Sequence, residues 1–269
     1  MKMDFEVAGK VAVVTGASRG LGRAAARSLA LEGCRIGMIA RQSEPLEAAA
    51  EAIVTEAGVE VAAVPADLTD ADQVARAFAT IRERLGDPEI LVYNNSGGSD
   101  VFWDEATEEE FRDAYEILII GFRRCVLEVL PGMKQHGWGR IVTLGSLCTR
   151  EPHRAFPMVL HNLGRPAQVG LSKTLANELG QHGITVNTVG TGMIDHDGDA
   201  VPRAYEAHAA KRGMTMEEVQ RFRTDSIPVG RAGTAEELAA ACTFLCSQPA
   251  AFINGQLLLV DGGRVASLM

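Results

Sequence analysis

Thr15 to Gly22 read TGASRGLG, an order of small residues suited to holding a phosphate. Gly16, Gly20 and Gly22 let a backbone turn tightly and approach a pyrophosphate closely. Ser18, Arg19 and Leu21 fill the positions between them. The apolar run VAVVTG (Val11 to Gly16) reads as a buried strand, and LGRAAARSLALEG continues with helical spacing until Gly33. A helix starting at this loop offers unpaired N–H groups and a positive dipole end to an anion. The flanking strand and helix are the context that such a loop requires.

The next strand ends IARQSE, with Arg41 where an acidic residue would bind an adenosine 2′-hydroxyl and repel a 2′-phosphate. Arg19 and Arg41 together suit a dianionic 2′-phosphate, because two guanidiniums can each offer forked donors. The expected cofactor is therefore NADP(H) rather than NAD(H).

These residues need a scaffold, and the rest of the chain supplies one. CRIGMIA, VEVAAVPADL, ILVYNN, GRIVTLGS, ITVNTVG and QLLLVDGG are further apolar runs. Helical patterns separate them: PLEAAAEAIVTEAG, DADQVARAFATIRERLG, a long helix over Glu108 to Gln135, another from about Pro157 to His182, and GTAEELAAACTFLC, which Thr234 and Glu237 cap. Seven strands alternating with helices predict a parallel sheet covered on both faces, a doubly wound α/β Rossmann fold. No repeat, linker or boundary interrupts it, so one domain is expected over 1–269. Asp195 to Ser226 breaks the rhythm as a polar segment at a strand end, the usual place for a substrate lid.

Composition excludes several classes. The 269 residues carry a net charge of −9, which disfavours nonspecific nucleic-acid binding. No apolar run approaches the ~20 residues that cross a bilayer. MKMDFEVAGK lacks a signal-peptide core, which points to the cytoplasm. Five scattered cysteines make no disulfide framework and read as small buried hydrophobes. Asp195, His196, Asp197 and Asp199 have metal-ligand chemistry, but polar loops are ordinary there and no metal is expected.

The glycine loop resembles that of the short-chain dehydrogenase/reductase family. So do Asp67–Leu68, NNSG at Asn94 to Gly97, Gly145–Ser146, GITVNTVGTG at Gly183 to Gly192, and the stretch from IPVGRAG to the closing LLLVDGG. The likeness runs from about Gly9 to Gly263. It implies that Asp67, beside Leu68, meets the adenine, and that Asn94, Ser96 and Gly97 line the cofactor. Ser96 stands where an alanine is usual. Thr191 replaces a usual proline before Gly192, and Ile194 contacts the carboxamide through its backbone. Pairing through two long helices and the C-terminal strand region implies a homodimer or homotetramer.

The resemblance also implies a serine, a tyrosine, a lysine and an asparagine in catalysis. Ser146 stands at the serine position. Counting back from GLSKTLA places His161 at the tyrosine and Arg165 at the lysine, while Leu118 falls at the asparagine. The gap from Ser146 to His161 is two residues longer than usual. The three tyrosines, Tyr93, Tyr115 and Tyr205, are followed four residues on by Gly97, Ile119 and Ala209, so no Tyr-x-x-x-Lys exists. Imidazole titrates near ~6.5 and can give a proton near neutrality, and Arg165 beside it opposes its charged form. Pro166 removes a helical donor and biases Arg165 away from helical angles, so a bent helix and a displaced Arg165 are expected.

Three readings follow. One is NADP(H)-dependent carbonyl reduction or alcohol oxidation on a small-molecule substrate, with Ser146 orienting the carbonyl, His161 supplying the proton and Arg165 holding ribose or phosphate. Another is a redox-neutral dehydration, isomerisation or cyclisation, with His161 as base. The last is a catalytically silent NADP(H)-binding subunit. His153 and the lid residues Tyr205, Phe222, Arg203, Arg212, Arg221 and Arg223 are further candidates for the substrate side.

Overall fold

A computed structural model describes residues 4–98, 101–152, 158–196 and 213–268. Its main sheet has seven parallel strands in the order β3-β2-β1-β4-β5-β6-β9. The strands are β1 Val11–Thr15, β2 Arg35–Ala40, β3 Val61–Pro65, β4 Ile90–Tyr93, β5 Gly139–Leu144, β6 Ile184–Thr191 and β9 Leu257–Val260. Two very short strands, β7 Ile194–Asp195 and β8 Gly233–Thr234, pair separately beside it. This is the doubly wound Rossmann arrangement expected from the alternating runs.

Alternation within each strand explains why both faces are covered. Ala12 and Val14 of β1, with Ile36 and Met38 of β2, face α1 Gly20–Leu31, α2 Ser43–Ala57 and α8 Ala235–Leu245. Val11 and Val13 face the opposite way, toward α3 Ala71–Leu85, α5 Gly121–His136 and α6 Val159–Leu179. Leu29 and Phe78 are fully buried on the two sides, and each such side chain contributes about 2 kcal/mol. All five cysteines are unbonded and buried, and desolvation pushes the Cys34 thiol up to about 12. Among the described residues no helix is long and apolar enough to cross a membrane.

Caps set the helix starts. Asp70 accepts from the backbone N–H of Asp72 and Gln73 at α3. Thr107 opens α4 Glu108–Tyr115, Thr215 opens α7 Met216–Asp225 and Thr234 opens α8, each with a reciprocal glutamate three residues on. Thr234→Ala is expected to cost about 1 kcal/mol of stability, read as a lowered urea midpoint.

Two helices carry features that the local pattern does not show. The long helix after β4 is α4 and α5 joined by a wider π-helical turn, Glu116–Ile120, with Leu118 at its middle. α6 runs as one helix, Val159–Leu179, with Arg165 and Pro166 inside it. Packing explains this. A β-carbon on Gly164 would lie 2.2 Å from Leu118 Cδ1, so α6 is pressed directly onto the π-helical turn. Contacts along this face outweigh the donor that Pro166 lacks. Pro157, His153, Asp197, Asp199, Arg203, Tyr205 and Arg212 lie outside the described residues.

Candidate active site

The sheet order reverses at β1, whose neighbours are β2 and β4, and a cleft opens at the strands' C-terminal ends there. Thr15 and Asn94 stitch the two lips together. Thr15 Oγ1 donates to the Asn94 carbonyl at 2.8 Å, and the Asn94 N–H donates back to Thr15 Oγ1 at 2.9 Å. Asn94 Nδ2 also donates to the Gly16 carbonyl at 3.2 Å. The loop is thus held from the β4 side before any ligand arrives.

Glycine is required in this loop for two separate reasons. Gly16 and Gly20 have φ of 58° and 57°, a region costly for other residues. Gly22 has no such angle, but a β-carbon there would lie 2.2 Å from the Gly16 carbonyl oxygen. The Arg19 side chain makes no capping bond to α1, and no acidic residue occupies the first turn. The first turn of α1 therefore carries no acidic side chain to oppose an anion.

A cavity of about 1290 Å³ lies over this loop. Gly16, Ser18, Arg19, Gly20 and Leu21 form its floor, with Arg41 and Gln42 beyond β2. Asp67, Leu68 and Thr69 close one side, and Asn94, Asn95 and Ser96 the other. The Asp67 carboxylate accepts from the N–H and hydroxyl of Thr69, which fixes its direction. Glu110 and Asp113 of α4 and Glu116 of the π-helical turn line the same cavity. Sequence reading missed this acidic wall, because those residues look like an ordinary solvated helix face.

Of the expected catalytic residues, Ser146 stands just after β5, and His161 and Arg165 meet beyond β4. Ser146 follows β5, where its Oγ accepts from the Cys148 N–H at 3.3 Å and caps a short 3-10 turn, Leu147–Thr149. His161 and Arg165 come together over Gly97. A β-carbon on Gly97 would lie 2.7 Å from His161 Nδ1 and 2.9 Å from Arg165 Nη2. Gly97, with φ of 81°, is therefore a seat for both side chains.

Arg165 is buried, and its partners are carbonyl oxygens. Nη1 donates to the Leu144 carbonyl at 2.9 Å and to Gln168 Oε1 at 3.3 Å, and Nη2 donates to the Asn95 carbonyl at 3.4 Å. No carboxylate pairs with it among the described residues. Desolvation pulls its pKa down to about 10, still far above neutrality, so the group stays charged. Gln168 Nε2 in turn donates to the Leu118 carbonyl at 3.0 Å. One chain of bonds therefore links the end of β5, Arg165, Gln168 and the π-helical turn. Gln168 had no sequence signal, since a lone polar residue within a helix is common.

Gly192 and Ile194 lie away from the cavity. The Gly192 N–H donates to the Val260 carbonyl at 3.0 Å, and a β-carbon there would lie 2.5 Å from Asp261 Cα. Ile194 begins β7 and is buried in the core facing α8.

A doubly wound parallel sheet with a glycine loop at its reversal point defines a Rossmann-type α/β protein. A family model described as enoyl-(acyl carrier protein) reductase matches residues 16–264. The chain belongs to the short-chain dehydrogenase/reductase family. It is 33% identical to the 3-oxoacyl-[acyl-carrier-protein] reductase FabG of Escherichia coli, covering 97% of this chain and 98% of the relative. It is 32% identical to the short-chain reductase protein NovJ of Streptomyces niveus, over 94% of this chain and 93% of NovJ. L-sorbose reductase from Gluconobacter frateurii, solved with NADPH and L-sorbose, superposes with a TM-score of 0.91 at 33% identity, covering 99% of this chain and 100% of that one.

Proposed function

We propose that this protein is an NADP(H)-dependent oxidoreductase acting on a carbonyl or its alcohol, with Ser146, His161 and Arg165 as its working set. The observation that carries the reading is the placing of His161 and Arg165 together over Gly97, between the cavity-lining residues Ser96 and Gly98. NADPH in the sorbose reductase structure and reductase activity in the names of FabG and NovJ support the class.

The nucleotide's adenosine end would rest against Asp67 and Leu68, its 2′-phosphate against Arg19 and Arg41, and its diphosphate on Gly16 to Gly22. When bound, the cofactor supplies or accepts a hydride at carbon. The chain's own groups manage the oxygen. The Ser146 hydroxyl donates to the carbonyl oxygen and fixes its direction. Imidazolium at His161 releases a proton to that oxygen as the alcohol forms, and imidazole takes it back in the oxidation direction. Arg165 places a fixed positive charge beside the site. Ser96 and Gly97 complete the nicotinamide side.

A redox-neutral reaction at the same residues is the second reading. What favours it is that the Arg165 guanidinium is engaged in holding the ends of β4 and β5.

The test is titration of the purified chain with NADPH and NADH, followed by a broad carbonyl panel. NADPH is expected to bind more tightly than NADH and to be consumed. His161→Phe is expected to lose about a hundredfold or more in turnover while keeping nucleotide affinity. Binding of neither nucleotide would sink the proposal. A product of unchanged oxidation state, formed with no net NADPH use, would establish the second reading instead.

A further inference from the structure

Gln168 lies on α6 close beyond Arg165 and is buried. Its amide makes two bonds of opposite sense. Oε1 accepts from Arg165 Nη1 at 3.3 Å, and Nε2 donates to the Leu118 carbonyl at 3.0 Å. A carbonyl only accepts and a guanidinium only donates, so these two partners fix which way the amide faces. The neighbouring Ile117 carbonyl accepts from the Tyr93 hydroxyl at the end of β4. The π-helical turn is thus tied to β4 by Tyr93 and to α6 by Gln168, and its Glu116 and Ile117 line the cavity. Such turns are rare and frequently mark functional sites.

Resting on the reading that Arg165 serves the reaction centre, we propose that Gln168 is a positioning residue, which holds the Arg165 guanidinium at Gly97 beside His161 through an uncharged acceptor. Leu144 and Asn95 offer Arg165 backbone carbonyls, and Gln168 offers the one side-chain acceptor among its bonds. Only an amide meets both demands made at this point. Glutamate would accept from Arg165, but it would neutralise the charge and turn its second oxygen toward the Leu118 carbonyl. An apolar residue would take the donor away from that carbonyl and release one edge of the guanidinium.

The consequence falls on geometry. Arg165 Nη2 and His161 Nδ1 lie 2.9 and 2.7 Å from the same point, the place of a β-carbon on Gly97. Without Gln168, Nη1 keeps only its bond to the Leu144 carbonyl, and the planar group can turn away from that point. A misplacement of about 1 Å at a reaction centre can cost as much as about a hundredfold in rate.

The experiment compares Gln168→Met, which keeps the length of the side chain and loses both bonds, with Gln168→Glu and the wild type. Gly58→Ala serves as the destabilised control, since Gly58 lies between α2 and β3, at the end of the sheet away from the cleft. With NADPH and the best substrate of the carbonyl panel, Gln168→Met is expected to lose about tenfold in kcat while its NADPH affinity stays within about twofold. Gln168→Glu is expected not to restore kcat, and Gly58→Ala to keep it. Nitrogen-15 NMR of the Arg165 guanidinium, assigned by its loss in Arg165→Met, reads the positioning without turnover. Hydrogen exchange of this group is expected to be about tenfold faster or more in Gln168→Met and unchanged in Gly58→Ala. Unaltered exchange in Gln168→Met overturns the proposal. So does faster exchange with full kcat, or a kcat loss matched by Gly58→Ala at equal urea midpoints. Faster exchange in Gln168→Met, with a wild type that consumes no NADPH on any carbonyl, overturns the oxidoreductase reading and leaves the hold on Arg165 standing.

Discussion

Gly22→Ala is expected to lower the unfolding free energy by about 3 kcal/mol and to weaken NADPH binding by about tenfold or more. The added methyl would lie 2.2 Å from the Gly16 carbonyl oxygen and 2.7 Å from Asn94 Nδ2. The first contact is backbone, so no rotamer change relieves it. The loop must lift from α1, and in lifting it strains the bond from Asn94 Nδ2 to the Gly16 carbonyl. That same movement spoils the cradle for a phosphate. Gly58→Ala is the control. Gly58 ends α2 with φ of 68° and meets nothing within 4 Å, so its substitution costs only the backbone preference, about 1 kcal/mol. Urea denaturation of the two variants measures the difference. A Gly22→Ala protein as stable as Gly58→Ala would show that the loop yields far more easily than its contacts imply.

Arg165→Ala is expected to cost about 3 kcal/mol or more, whereas Arg165→Met stays within about 1.5 kcal/mol of the wild type. Both variants strip the donors from the Leu144 and Asn95 carbonyls, and both remove a buried charge without a carboxylate partner. Losing the donors is unfavourable; losing the charge is favourable, since desolvation already opposes it. These two effects offset one another in the methionine variant. Alanine adds a cavity beneath Gly97, and that volume decides the outcome. The comparison is read from paired urea midpoints. Equal destabilisation by methionine and alanine would mean that the hydrogen bonds, rather than the packing, hold the ends of β4 and β5.

Local pattern carried the reading a long way in this chain. Alternating apolar strands and amphipathic helices led to the sheet, because each strand needs both faces covered and each helix needs one. Gly16, Gly20 and Arg19 were legible as a loop, since turn geometry and a helix start depend on adjacent residues. Thr234 and Glu237 were legible as a cap for the same reason. Pro166 shows where local rules stop. Its missing donor marks a weak point in α6, but the close contact between Gly164 and Leu118, which supports one continuous helix there, has no signal in the local sequence.

The order of residues was enough to specify strands, helices, the phosphate loop and the absence of any Tyr-x-x-x-Lys. Folding in three dimensions was needed to bring His161 and Arg165 over Gly97, to join Gln168 to the Leu118 carbonyl, and to set His196 against Gly20. The reason lies in the range of the forces involved. Periodicity and turn preference act between near neighbours in sequence, whereas these contacts join segments whose meeting depends on how the whole sheet and its helices pack.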